Sequence, residues 1–107
     1  MKITAVDTFL VEGIKYNWTL VKVSTDAGLH GWGEATNWPG SPLIEAACQH
    51  VGSRLIGEDA RRIDYLWTKI YRDMHWLGQA GPLLSAISGF DIALWDIKGK
   101  SVGLPVH

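Results

Sequence analysis

The chain has 107 residues, with ten basic and eleven acidic side chains and a formal net charge of −1. That length allows one hydrophobic core and one domain, and falls below the length of most complete metabolic enzymes. Neither sign of charge forms a long run, which removes the electrostatic case for nucleic acid or an anionic membrane surface as a partner.

The amino terminus, "MKITAVDTFLVEG", carries Asp7 and Glu12 inside its apolar stretch and has no small-residue cleavage site, so it reads as a strand rather than a signal peptide. No apolar run approaches the roughly 20 residues of a membrane span. A lone cysteine, Cys48, has no internal disulfide partner and belongs to no zinc-spaced cluster. A core-packing thiol in a soluble, cytoplasmic protein is the expectation.

"ITAVDTFLV" and "WTLVKVST" are rich in β-branched and aromatic residues, and the turn "TDAG" separates the second from "LHGWGEA". Three antiparallel strands in a meander follow, with Gly13 and Asn17 marking the first connection. In the third strand His30, Trp32 and Glu34 share one face, while Gly31, Gly33 and Ala35 leave the other almost bare. Another element must pack very close there.

After "TNWPGSP" the apolar period changes to about 3.6 residues. Ser41 and Pro42 fit the start of a first helix, whose stripe is Ile44, Ala47, Cys48, Val51 and Leu55 and whose stop is Gly57. Asp59 is placed to cap a second, with the stripe Ile63, Trp67, Ile70 and Met74. A third runs from Pro82 to about Gly99 on Leu83, Ile87, Phe90, Leu94 and Ile97.

Asp91 and Asp96, five apart on that helix, project about 140° from one another and so cannot serve as a catalytic pair. Ile92 lies opposite the main stripe and Trp95 about 120° from its centre. This helix is apolar on more than one side, as though it expects a second layer of protein. Of six tryptophans, Trp32, Trp67 and Trp95 fall within strong patterns and are expected in the core. Trp18, Trp38 and Trp76 stand beside turn residues, where a large ring suits an interface or a ligand.

The segment "AISGFDIALWDIKGKSVGLPVH", Ala86 to His107, closely resembles the passage from amino-terminal domain to barrel in the mandelate racemase and muconate lactonizing enzyme group of the enolase superfamily. Phe90 stands where a smaller aliphatic residue is usual. "GLHGWGEA", "LIGEDARRID" and "YRDMHWLGQAGP" keep the group's order and approximate spacing. The resemblance therefore covers nearly the whole chain, and its nearest variety is the acid-sugar dehydratases.

What it implies is an α+β capping domain over residues 1–107, a three-stranded meander with about three helices, cut at the boundary of an absent C-terminal (β/α)7β barrel. By resemblance the parent protein is a homo-oligomer that abstracts the proton α to the carboxylate of a small-molecule substrate and stabilises the enediolate on Mg²⁺. Metal ligands and catalytic bases would all lie in the barrel, at strand ends. The capping domain would supply a lid from the loops after the first and third strands. Its candidate substrate contacts are Tyr16, Asn17 and Trp18, Asn37 and Trp38, and His75 at a helix end, with Lys15 either meeting a carboxylate or solvated. His30 and His50 read as surface or packing residues and Glu34 as structural. A racemase or cycloisomerase of the same superfamily is the nearest alternative; a stand-alone, non-catalytic binding or assembly module is the alternative of another class.

Overall fold

The computed structural model describes residues 1–11, 18–36, 41–74 and 82–104. Three strands, β1 (Ile3–Val11), β2 (Trp18–Thr25) and β3 (His30–Glu34), precede three helices, α1 (Ser41–Ser53), α2 (Ile63–Met74) and α3 (Pro82–Val102). The sheet is an antiparallel meander in the order β1-β2-β3. These are the elements and the order expected from the periodicities.

One face of the sheet packs on the helices. Val21 pairs with Thr8 and Gly33, and Val23 with Val6 and Gly31, which puts all of them on that inner face. A register shift between Ile3 and Ala5 resets the alternation of β1, so Ile3 is buried on the same side as Val6 although the two are an odd number of residues apart. The core is completed by Ile44, Cys48, Val51 and Leu55, by Ile63, Leu66 and Ile70, and by Ile87, Phe90, Leu94 and Ile97.

The close approach demanded by the bare face of β3 is supplied by α3. A Cβ on Gly33 would overlap the carbonyl oxygen of Gly89, and one on Gly31 would overlap that of Ala93 and come within 2.7 Å of Ile97 Cγ1. Reciprocally, a Cβ on Gly89 would lie 2.9 Å from that of Ala35. Strand and helix backbones are thus in direct contact, and α3 runs antiparallel to β3. The outer edge of β3 is closed by the same helix. Trp32 N–H donates to Asp96 Oδ2 at 3.0 Å, and Lys100 Nζ donates to His30 O at 2.8 Å while pairing with Asp96 at 3.1 Å. An edge strand that would otherwise present free backbone groups is capped by an i,i+4 ion pair.

Several sequence expectations are corrected. Trp32, Trp67 and Trp95 are not core residues: each keeps more than a third of its surface exposed. Trp32 must face outward because the inner face of its strand is taken by backbone contact, and its ring lies 5.6 Å from that of Phe9 with Lys22 above it. Leu66 fills the α2 core position instead of Trp67, which stacks on Tyr71, one turn along, at 5.1 Å. Trp95 faces away from the core beneath Lys98, and Ile92 is also exposed.

Gly57 does not end α1, which stops at Ser53 and passes through tight turns; Gly57, at φ +87°, closes the last of them and donates to Ile3 O at 2.8 Å. Asp59 does not cap α2. It accepts from Arg61 N and from the Arg61 guanidinium, at 3.0 to 3.2 Å, and these bonds hold its carboxyl down at about 2. The charge is used to build the turn ahead of the helix.

The two aspartates of α3 are separate, as the helical geometry requires. Burial by itself would raise Asp96, but the Trp32 N–H and the Lys100 ammonium outweigh it and hold the carboxyl below its ordinary 3.8. Asp91 lies against the apolar seam of Val51, Leu66, Ile70 and Phe90, and burial, then the charge of Asp64, raise it above 3.8. That seam encloses only about 10 Å³, room for at most one water, so it is not a ligand site.

Two predictions arise from this packing. Gly33→Ala lowers unfolding stability by at least about 2 kcal/mol, because neither backbone can yield. Gly28→Ala, in open space at φ +79°, costs only about 1 kcal/mol; urea titration checks the ordering. The second concerns pH. Stability from ionised Asp96 is present above pH 3.8 and lost as pH falls through its lowered pKa, whereas ionising Asp91 costs stability as pH rises above 3.8 through its raised one. At neutral pH, Asp96→Asn therefore lowers the urea midpoint and Asp91→Asn raises it, and both differences shrink in acid.

Candidate functional site

The fold has two unlike ends. At one, the chain is stitched by backbone bonds: Ile3 N–H to Glu58 O at 2.9 Å, Asp26 N–H to Lys2 O at 2.9 Å and Ala60 N–H to Met1 O at 2.9 Å. Lys2 N–H also donates to Asp26 Oδ1 at 2.9 Å.

The opposite end carries strand and helix ends on the other side of the sheet's length. Val11 pairs with Trp18 there, and Leu20 with Glu34. Because α3 lies antiparallel to β3, its first turns stand beside Glu34 and Ala35. Helix α2 runs antiparallel to α3, since Tyr65 shares a cleft with Trp95 while Ile70 shares a seam with Ile87. The described residues flanking 12–17, 37–40 and 75–81 therefore all lie at this end.

Of the candidate contacts, Trp18 is the one among the described residues. It is the first residue of β2, 45% exposed, on the outer face of the sheet beside Val11. Tyr16 and Asn17, Asn37 and Trp38, and His75 lie outside the described residues, as does Lys15.

Sequence reasoning missed a cleft at this same end. Its volume is about 250 Å³ and it is lined by Glu34, Ala35, Thr36, Leu84, Ser85 and Ser88. Thr36 is fixed by accepting the Thr19 N–H on Oγ1 at 3.1 Å, and Ala35 N–H donates to Thr19 O at 2.9 Å. Thr19 itself is buried, and its hydroxyl has no hydrogen-bond partner among the described residues. A valine would fit such an environment at lower cost. The bare glycine face was the available clue, since it implied that a helix would cross the end of β3.

The other histidines and the cysteine among the described residues lie outside this cleft. Cys48 is buried in α1, and burial, with a smaller effect of Glu45, pushes its thiol up to about 12, so it is not a nucleophile. His30 and His50 are exposed. Among the described residues no group of three His, Cys, Asp or Glu side chains is placed to hold a metal ion. Among them, too, no helix is long and apolar enough to cross a membrane.

Comparison with known proteins agrees with this architecture. The D-galactonate dehydratase of Variovorax paradoxus (strain S110) is 45% identical over 107 residues, which are all of this chain and 27% of that one. The structure of the 3,6-anhydro-D-galactonate cycloisomerase from Zobellia galactanivorans superposes with a TM-score of 0.89 at 32% identity, covering 99% of this chain and 30% of that one. An enolase from Agrobacterium radiobacter, solved with bound sodium and L-malate, superposes with a TM-score of 0.90 at 33% identity, over 99% and 27% of the two chains. The chain thus spans about a quarter of the length of the curated relatives it matches. Residues 6–107 match the family model for the N-terminal domain of mandelate racemase / muconate lactonizing enzyme, and the chain belongs to that family.

Proposed function

We propose that this chain is the substrate-capping domain of an acid-sugar dehydratase of the enolase superfamily. The observation that carries the reading is the similarity to a D-galactonate dehydratase along the entire chain. In the reaction, a base removes the proton α to the substrate carboxylate and hydroxide leaves the β carbon with a proton, as water. The enol so formed becomes a 2-keto-3-deoxy acid.

The base and a Mg²⁺ site belong, in this reading, to a C-terminal barrel. The metal would supply positive charge beside the substrate carboxylate, where negative charge develops. This domain's part is to close over the substrate and exclude water. Trp18, a large ring half-exposed where β2 begins, presents apolar bulk at that end. Tyr16, Asn17, Asn37, Trp38 and His75 contribute donors, acceptors and ring surface to the same lid. The stitched end takes no part in the chemistry and holds the frame.

A second reading is favoured by one observation, the close superposition on a cycloisomerase. The same enediolate can be reprotonated or can expel an internal leaving group, so the shared fold does not choose between outcomes.

The test is the complete protein with D-galactonate and Mg²⁺, the product followed by reaction with a keto-acid reagent. The expected result is one 2-keto-3-deoxy acid per substrate, with a slower rate for substrate deuterated at C2. An inverted C2 centre without loss of water would move the assignment to a racemase. The 107-residue chain alone is expected to give no turnover.

A further inference from the structure

We propose that the outer edge of β1 pairs with a second copy of this chain, the two β1 strands running antiparallel about a two-fold axis at Thr8. Two three-stranded sheets then become one. The inference is independent of the acid-sugar reading.

The backbone bonds decide which residues of β1 face that edge. Trp32 N–H and His30 O turn to α3, away from β2, and Ala35 N–H donates to Thr19 O. The even-numbered residues of β2 therefore bond to β1, and their partners Asp7, Phe9 and Val11 direct their own backbone groups into that ladder. Val6, Thr8 and Leu10 are left with N–H and C=O groups on the open side. Among the described residues none of these three has a backbone bond from outside the sheet. Only the start of the strand is covered, where Ile3 N–H donates to Glu58 O and Gly57 N–H to Ile3 O.

The edge carries little that would keep another strand away. The far edge of the sheet is sealed by Asp96 and Lys100. From Ala5 to Val11, β1 has Asp7 as its one charge and contains neither proline nor lysine, and Phe9, Leu10 and Val11 are all exposed.

One register makes the strand complementary to itself. Centred on Thr8, the pairing sets Val6 opposite Leu10 of the second copy and Thr8 opposite Thr8, so all three open residues meet open residues. Asp7 then lies opposite Phe9, and Ala5 opposite Val11. A centre on Asp7 would bring two carboxylates face to face, and a centre on Phe9 would carry the partner of Val6 beyond the end of β1. The cleft between β1 and the end of α1 completes the fit. It measures about 380 Å³ and has Gln49, Gly52, Ser53 and Ile56 on its far side. Opposed residues of an antiparallel pair point to the same face of the sheet, so Leu10 of the second copy projects beside Val6 into this cleft. Leu10 is 43% and Ile56 48% exposed in one copy, and the pairing covers both.

The test uses the complete protein. Thr8→Cys sets two thiols across the axis at the roughly 5.5 Å Cα separation of a bonded antiparallel pair, within reach of a disulfide. Thr4→Cys sets them roughly 25 Å apart along the strands. Mild oxidation should convert most of the Thr8→Cys chain to a linked dimer and leave Thr4→Cys at the wild-type level. In Thr8→Arg two guanidinium groups meet at the axis, and the mass of the assembly in sedimentation should fall about twofold while Thr4→Arg is unchanged. The Val6 and Leu10 amides should exchange at least about tenfold more slowly in the wild type than in Thr8→Arg. Thr8→Cys, nearly isosteric, decides the matter if Thr8→Arg does not fold. A monomeric wild type, or equal linking of the two cysteine variants, would overturn the proposal. Val6 and Leu10 amides equally slow in the wild type and in a folded Thr8→Arg would overturn it too, by showing that another part of the same chain covers the edge.

Discussion

The arrangement depends on the direct contact between the backbones of β3 and α3. Gly31 and Gly33 meet the carbonyls of Ala93 and Gly89 with no side chain between them. At that separation a single methyl group on the strand is excluded, so the helix can sit in only one place and one direction on the sheet. The outward position of Trp32 follows, because the inner side of its strand is already filled. Closure of the strand edge by Asp96 and Lys100 follows as well, because these side chains can reach the Trp32 amide and the His30 carbonyl only from a helix lying this close.

That contact also relates stability to the proposed chemistry. One end of the domain is tied together by main-chain bonds among Met1, Lys2, Ile3, Asp26, Glu58 and Ala60. The other receives the strand and helix termini from which three connecting segments depart. A capping domain needs both: a fixed frame, and a place where loops can meet a substrate without disturbing the core. Thr19, with a buried hydroxyl unpartnered among the described residues, lies toward the second end, where optimal stability is not the governing requirement.

Much of this was readable from the sequence. The bare face of "LHGWGEA" announced a close neighbour, the change of period at Ser41 marked the passage from sheet to helices, and Ile92 and Trp95 pointed to a helix with an apolar outer side. The readings that failed share a cause, which is that tertiary context selects among equivalent local patterns. The bulge near Thr4 breaks the strict alternation of β1, and no local signal in "ITAVDTFLV" shows it. On α2, Leu66 and Trp67 are adjacent, both apolar and both line the seam against α1 and α3, yet only Leu66 is buried, a choice that the packing of the neighbouring helices makes and the local pattern does not. Gly57 and Asp59 carry helix stop and start signals but are used in the turns between helices. The cleft at Glu34 joins residues about fifty positions apart, so no spacing rule could have found it. The lid candidates Tyr16, Asn17, Asn37, Trp38 and His75 rest on resemblance.

The central claim, that α3 lies against β3 closely enough to seal its edge, is tested most directly by residue-resolved amide hydrogen exchange at Trp32. Its N–H points away from β2, and on an open edge strand it would exchange far faster than the ladder-bonded amides beside it. Bonded to Asp96 beneath α3, it should exchange as slowly as Gly31 and Gly33. Exchange of Trp32 at the rate of a solvent-exposed amide, with Gly31 and Gly33 still protected, would contradict the account.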